Sequence, residues 1–293
     1  MADNQKETPL IPTNIRNKIV IIAAAVAALF YPTLKGMYTI WMEDSNNSHG
    51  ILVPFIGAYL VWTRLKKERG EFQPLGEAIK NKDRFKLLGL AGLVIVLCFY
   101  AASVLMDIVF FKNLCFVLTI QMLVLYLGGW TIVRMFIFPL FFLFFMVPVP
   151  VTVYGMVALP MQLFATKLTV WILGFTHLPV SANGNIIRIG NEFLTVAEAC
   201  SGLRSLLTFV MISFLFAYIS NISRWKRGLL VALSIPVAIC GNILRLLFTS
   251  FVAYIYGSKI ATGFIHDASG YVMFVLAFGV FLWLSKVLEG EKR

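Results

Sequence analysis

Apolar stretches near the length of a bilayer crossing dominate this chain. They lie near residues 19–40, 50–63, 87–105, 114–129, 132–147, 203–219, 228–256 and 268–285. A transmembrane α-helix needs about 20 mostly apolar residues. Only 13% of the 293 residues are charged while 59% are hydrophobic, which excludes a water-soluble globule. The sequence therefore predicts an all-α polytopic membrane protein with about eight transmembrane helices in a lipid bilayer.

The basic residues predict how the chain is oriented. The formal charge is +11, but the aromatic residues lie within apolar runs and not in a solvated basic patch, so no nucleic-acid partner is expected. Most Lys and Arg residues fall in 1–18, 64–86, 224–227 and 286–293. By the positive-inside rule both termini are cytoplasmic. The prediction is a cytoplasmic tail at 1–18, a single transmembrane domain at 19–285 and a second tail at 286–293.

Two segments on the outer side depart from the pattern of simple spans. With eight spans, residues 148–200 begin and end outside, so the apolar stretch 151–175, which contains Pro160, is predicted to be interfacial or re-entrant. Near 185–196, apolar and polar residues partly alternate around Gly190-Asn191, which predicts a short β-hairpin. The hairpin leads directly to Cys200.

Cys200 differs from the other three cysteines. Those lie within apolar helices, where a thiol behaves as a small hydrophobe, and the sequence leaves a Cys98–Cys115 disulfide open. Cys200 is expected where a β-like segment turns into a helix at the outer interface. The helix N-terminus and Arg204 would favour its thiolate, while Glu198 opposes it. Its local surroundings leave both a nucleophile and a buried structural cysteine open.

Two further polar residues fall at the same predicted depth. Arg245 is 18 residues beyond Arg227, a rise of about 27 Å along a helix, which puts it near the outer interface with Asn242 on its face. His266 lies in the outer loop before the last span. Either could be an interfacial side chain without a catalytic role. Three such residues from consecutive spans at one depth favour a single site.

This trio has a recognisable chemistry. A Cys thiolate attacks a carbonyl, an imidazole transfers protons, and a guanidinium stabilises the oxyanion. The sequence offers no metal-ligand spacing, no Gly-rich nucleotide loop and no paired carboxylates within the spans, so neither a metal nor a cofactor is predicted.

The motifs resemble those of the exosortase/archaeosortase family, of the bacterial exosortase type. The resemblance rests on Ala197-Glu-Ala-Cys-Ser-Gly-Leu-Arg-Ser205, on Asn242-Ile-Leu-Arg245, and on His266 with Gly270. Ser48-His49-Gly50-Ile-Leu-Val-Pro54 and Phe-Met-Val-Pro148 also look like exosortase segments, so the likeness runs from about 45 to 285. Archaeosortases have Arg in place of the His.

The resemblance implies a cysteine transpeptidase of the bacterial inner membrane with its active site on the outer face. Its partners would be surface proteins that end in a Pro-Glu-Pro-type motif, a transmembrane helix and a basic tail. Cys200 would be the nucleophile, His266 the general acid and base, and Arg245 the oxyanion stabiliser. The acceptor stays open. A cysteine protease that uses water and an envelope lipid or polysaccharide transporter are the alternatives.

Four more residues are candidates for binding substrate or organising the site. Arg204, Glu198 and Asn242 neighbour the trio in sequence or on a helix face. His49 is predicted outside, at the start of the second span, where a structural role at the helix start is the competing interpretation.

Overall fold

The computed structural model describes residues 13–67, 84–197 and 201–290. The chain divides into two compact units, Met1–Val149 and Pro150–Arg293, and each is described by itself.

The first unit is helical. Its α-helices are α1 (Thr13–Leu29), α2 (Tyr31–Glu43), α3 (Val53–Lys67), α4 (Arg84–Leu105), α5 (Val109–Met135) and α6 (Ile137–Phe142). Single 3₁₀ turns precede α3 at Ser48–Leu52 and follow α6 at Leu143–Met146. The first predicted span is bent by 71° between α1 and α2. Pro32 stands in the first turn of α2, where a proline is tolerated because that turn has no intrahelical partner for its N–H.

Helices α4 and α5 form an antiparallel hairpin whose close approach depends on glycine. A Cβ added at Gly89 would lie 2.5 Å from the backbone nitrogen of Tyr126, and one at Gly92 would meet the Met122 sulfur. The ring of Tyr100 on α4 packs at a tilt against Phe30, the residue that connects α1 to α2, with their centroids 4.2 Å apart. Small residues at such a crossing let two backbones approach, which is how helices gain dispersion contacts in a membrane.

The second unit combines long helices with one small sheet. Its helices are α7 (Val151–Gly174), α8 (Leu203–Ile219), α9 (Arg224–Tyr256), α10 (Ser258–Ala261) and α11 (Phe264–Glu289). Strands β1 (Val180–Asn183), β2 (Ile186–Ile189) and β3 (Glu192–Thr195) lie between α7 and α8.

The sheet is an antiparallel meander in the order β1-β2-β3. In the predicted hairpin, β2 pairs with β3 so that Ile189 faces Glu192 across Gly190-Asn191, and this prediction is confirmed. Strand β1 was not predicted. The two-residue turn that joins it to β2 is Gly184-Asn185, a standard hairpin signal, and the turn glycines Gly184 and Gly190 both have positive φ.

One face of the sheet is buried against α7 and α9. Ile187, Leu194 and Val196 join Ala165 of α7 and Leu246 of α9 in one apolar cluster, while Arg188 points outward. The period-2 alternation of a strand puts these residues on one face. The sheet therefore covers the part of α9 that continues beyond Arg245.

The number of membrane spans differs from the prediction. In the described ranges five helices, α4, α5, α7, α9 and α11, are long and apolar enough to cross, or six elements if α1 with α2 is one bent span. The predicted count of eight is not confirmed. The 15-residue α3 is short, and the predicted span 132–147 is divided between the end of α5 and the short pieces 137–146. A break does occur where the predicted span 114–129 ends, because Gly129 has φ 67° and ψ −172°.

Segment 151–175 forms one continuous helix where an interfacial or re-entrant segment was predicted. It forms the continuous 24-residue helix α7, which passes through Pro160 and meets the length and composition of a span. The interfacial or re-entrant assignment followed from the eight-span count. Tyr154, Ala158, Gln162, Ala165, Thr166, Thr169 and Leu173 are its buried residues. These residues repeat every three to four positions, which is the stripe of a helix with one packed face.

The free cysteines described are Cys98, Cys115 and Cys240. The disulfide left open by the sequence is therefore not formed.

Candidate active site

Helices α8 and α9 meet at Gly202 and Asn242. Gly202 precedes the first residue of α8 with φ +79°, and a Cβ there would lie 2.8 Å from Asn242 Cγ and 2.9 Å from its Cβ. Glycine adopts this left-handed conformation without steric cost and leaves the space that the Asn242 side chain fills. The start of α8 is thus pressed against the predicted Asn242–Arg245 face of α9.

Helices α9 and α11 meet one turn further along, at Arg245 and Gly270. A Cβ added at Gly270 would lie 3.2 Å from Arg245 Cζ and 3.3 Å from Nη2, so the guanidinium lies directly on this glycine. Position 266 is one helical turn before Gly270, and residues four apart share a helix face. Position 266 therefore lies within α11, although it was predicted in a loop.

Helices α9 and α11 are also held in register at their other ends. Lys226, near the start of α9, donates a hydrogen bond of 2.7 Å to the carbonyl oxygen of Leu288 near the end of α11. From Lys226 to Arg245 and from Leu288 to Gly270 the chain advances by nearly equal numbers of residues. Between these ends, the ring of Phe209 on α8 packs at a tilt against that of Phe274 on α11, with their centroids 5.1 Å apart. The contacts at the site therefore belong to a continuously packed three-helix bundle.

A cavity of about 260 Å³ opens beside the start of α8. Its walls are formed by α7 and α9 with Ser201 at one edge; the lining residues are Pro160, Met161, Phe164, Ala165, Ser201, Ile239, Asn242 and Ile243. Ser201 is 2% exposed, and its hydroxyl oxygen accepts a hydrogen bond from the Leu203 N–H at 3.2 Å. The cavity is apolar except at the Ser201–Asn242 edge.

A second cavity of about 20 Å³ adjoins Arg245. Ser205, Asn242, Gly270 and Met273 are among its lining residues. This volume is close to the minimum that holds one water molecule. Arg245 itself is half-buried.

The remaining predicted residues of this unit are only partly described. Arg204 is half-buried in the first turn of α8. Cys200 and Glu198 lie outside the described residues, as does the side chain of His266. The structure thus brings together Asn242, Arg245 and the positions that flank Cys200 and His266 along the chain.

In the first unit, the segment that precedes α3 is bonded to the segment that follows α6. Trp41 Nε1 donates to the carbonyl oxygen of Met146 at 3.0 Å. The backbone N–H of Val149 donates to Asn47 Oδ1 at 3.0 Å, and Asn47 Nδ2 donates to Asp44 Oδ2 at 2.6 Å. Residues 44–50 are thereby fixed to residues 146–149, a pairing that no local sequence pattern predicted.

His49 lies in the 3₁₀ turn within this pair of segments. The next residue, Gly50, packs on the Trp41 ring, which leaves His49 half-buried. Burial lowers the pKa of His49 below its usual value, and a hydrogen bond to the backbone of Asn46 opposes that shift. The imidazole is therefore neutral at pH 7.

Two residues outside the predicted site anchor the sheet above α9. Glu192 Oε2 accepts a hydrogen bond of 2.8 Å from the backbone N–H of Ser258 at the start of α10. The Ser258 side chain, together with this backbone bond, lowers the pKa of Glu192. Tyr254 of α9 lies 3.3 Å from the Cβ position of Gly190 in the turn between β2 and β3. Among the described side chains no group of three or more His, Cys, Asp or Glu is arranged to hold a metal ion.

Together these features describe a polytopic membrane protein whose polar residues gather between α8, α9 and α11. Comparison with known families assigns it further. Residues 41–283 match the transmembrane exosortase family, and the chain belongs to that family. The predicted resemblance is thereby confirmed over nearly the same range. No curated protein and no solved structure matches the chain.

Proposed function

We propose that this protein is a membrane-embedded cysteine transpeptidase that cleaves the C-terminal sorting signal of surface proteins. The supporting observation is the contact of Gly202 with Asn242 beside that of Gly270 with Arg245. Membership in the transmembrane exosortase family supports the same function.

Chain length supports Cys200 as the nucleophile. Cys200 is two residues before Gly202, so their Cα atoms are at most about 7 Å apart. On the other side, Val196 is fixed in the apolar cluster that contains Leu246. The segment between them starts and ends beside the stretch of α9 that carries Arg245. Arg245 is thus a reachable partner for a group bound to Cys200.

The reaction would proceed in two balanced halves. The Cys200 thiolate attacks the scissile carbonyl carbon, and the Arg245 guanidinium stabilises the resulting oxyanion. The C–N bond then breaks as protonated His266 gives its proton to the leaving nitrogen, which departs with the substrate's helix and tail. An acceptor amine, or water, attacks the thioester, gives its proton to His266 and releases the Cys200 thiolate.

The two cavities fit parts of this scheme. The cavity of about 260 Å³ beside Ser201 would take an apolar side chain next to the scissile bond. Asn242, at the edge shared with the site, would bond the substrate backbone. Arg204, in the first turn of α8, and Glu198 would organise the approach to Cys200. His49 would act in its own unit by holding residues 44–50.

The test is acyl-enzyme trapping in membranes. The enzyme is expressed with a reporter that carries a Pro-Glu-Pro-type motif, an apolar helix and a basic tail, and intact mass spectrometry monitors both proteins. Wild type should process the reporter and carry a thioester adduct on Cys200, whereas Cys200→Ala should do neither. Normal processing by Cys200→Ala would refute the proposal.

Two controls separate the alternatives. Arg245→Lys keeps the positive charge but not the planar fork, so processing should fall at least tenfold for an oxyanion role. A transporter would lose activity with Arg245 replaced but keep it in Cys200→Ala. The mature reporter's C-terminus identifies the acceptor: a free carboxylate alone, with amines present, indicates a protease.

A further inference from the structure

An apolar groove of about 340 Å³ runs along the surface between α9 and α11. Ten residues line it: Leu233, Pro236, Val237, Cys240, Gly241 and Leu244 from α9, and Met273, Leu276, Ala277 and Val280 from α11. On each helix they recur at intervals of three and four, so each contributes one continuous face. From Leu233 to Leu244 the groove extends about 16 Å, or three helical turns.

Small residues form the floor of the groove and larger residues form its rims. A Cβ at Gly241 would lie 3.1 Å from the Cβ of Ala277, so the two helices nearly touch along the floor. Leu244 and Leu276 form the rims and are 54% and 58% exposed. Small residues in the floor with exposed larger ones beside them admit the close approach of another helix within a bilayer.

The groove leads to the candidate active site. Its upper residue on α9, Leu244, is bonded to Arg245, and Met273 on α11 is one turn from Gly270. Gly241, Met273 and Ala277 also line the small cavity that adjoins Arg245. By contrast, the cavity beside Ser201 is lined on α9 only from Ile239 to Ile243, a rise of about 6 Å. That length fits a side chain, whereas the groove fits a helix.

We infer that this groove binds the membrane-spanning helix of the substrate and presents its outer end to Arg245. The inference rests on the proposed function, which requires a substrate held by one apolar helix with the scissile bond at that helix's outer end. A helix in the groove makes only apolar contacts over three turns and ends where α9 and α11 hold the polar site. It therefore fixes the depth of the scissile bond without contributing to the chemistry.

Native cysteines allow a direct cross-linking test. Cys240 lines the groove and is exposed, and Cys98 on α4 is an exposed control in the first unit. Two double variants are compared: Cys200→Ala/Cys98→Ala, which keeps Cys240, and Cys200→Ala/Cys240→Ala, which keeps Cys98. Each is tested in membranes with a series of reporters, and each reporter has a single cysteine at a different position of its Leu/Ala helix. Oxidative cross-linking to the first enzyme should peak every three to four positions and exceed the second by at least tenfold.

Other results would overturn the inference. Equal cross-linking of both enzymes at every reporter position would mean random collision in the lipid. Cross-links that join only two enzymes through Cys240 would mean that a second copy fills the groove. Because Cys200 is replaced in both enzymes, the cross-linking pattern does not depend on catalysis. The cross-linking result therefore tests the groove independently of the proposed transpeptidase activity.

A pair of tryptophan variants tests the consequence for processing. Leu276→Trp would fill the groove from its rim, whereas Val275→Trp adds the same ring at a neighbouring lipid-facing position that is 65% exposed and outside the lining. Leu276→Trp should slow processing of the membrane reporter at least tenfold while Val275→Trp leaves it within twofold. Equal rates for the two variants would overturn the inference even if wild-type processing is normal.

Discussion

The Arg245 guanidinium rests on Gly270 of the neighbouring helix, with Cζ 3.2 Å from the point where a Cβ would stand. Gly270→Ala should therefore push the guanidinium aside by a few tenths of an ångström. Oxyanion stabilisation depends on such placement, so processing of a reporter should fall about 10- to 100-fold. Gly279→Ala is the matched control, because nothing lies within 4 Å of its Cβ on the same helix. Equal activity of the two variants would contradict a role for Arg245 placement.

Gly202→Ala should damage both stability and activity. Alanine at φ +79° costs about 1–2 kcal/mol, and its methyl group would also displace Asn242. Gly184→Ala has a similar φ of +60° but open space around the Cβ, so it measures the backbone cost alone. Thermal unfolding in detergent, followed by tryptophan fluorescence, should show the larger loss for Gly202→Ala. A match between the two midpoints would mean that the Asn242 contact contributes nothing.

Asn47→Ala should loosen the connection between residues 44–50 and 146–149. The Val149 N–H would lose its acceptor and Asp44 a donor, a cost of about 0.5–1.5 kcal/mol for each of these part-buried hydrogen bonds. Ser48→Ala removes only the bond from an exposed hydroxyl to the Ser45 carbonyl oxygen and serves as the control. The midpoint of thermal unfolding should fall by several degrees in Asn47→Ala alone. An unchanged midpoint would mean that the turn is held by its other contacts.

His49 should make stability sensitive to mild acid. Because burial lowers the folded-state pKa of this imidazole, the unfolded chain binds its proton first as pH falls. Its effect is absent above the unfolded pKa of about 6.5, and stability declines from there down to the lowered folded pKa. The thermal midpoint of wild type should therefore drop more between pH 7 and pH 5 than that of His49→Gln. Parallel curves for the two proteins would assign the acid sensitivity to other groups.

The sequence predicts how far along its helix each site residue stands, but not the face that it presents. Rise per residue is set by helical geometry, so counting from Arg227 predicts Arg245 near the outer interface, and this membrane depth stays a prediction. The contact of Arg245 with Gly270 depends on how α9 and α11 rotate against each other, and many residues along both helices determine that rotation. The same holds for Trp41 and Met146, which are far apart in the chain and have no shared local pattern.

The sheet, too, was predictable from the sequence only in part. Alternation around Gly190-Asn191 predicted the hairpin of β2 and β3, because its Ile and Leu side chains face a core. Strand β1 has little apolar alternation and mostly exposed side chains, so the hydrophobic pattern passed over it. Only the Gly184-Asn185 turn marked it. Neither Pro160 nor Gly129 could be interpreted from the sequence alone. Pro160 lies within a continuous helix, whereas Gly129 interrupts the helical backbone of α5.

Helix α9 has 33 residues and is about 50 Å long, well beyond the hydrocarbon core of about 30 Å. Its cationic first turn and Arg245 are thus separated by a fixed rise of about 28 Å, and the remaining turns carry the sheet. Under the proposed function, this distance sets the length of the substrate helix. A substrate helix whose basic tail is anchored at the same surface would bring its scissile bond to Arg245 only if its apolar segment is about 19 residues long. Shorter or longer helices would be discriminated by length before any recognition motif is read.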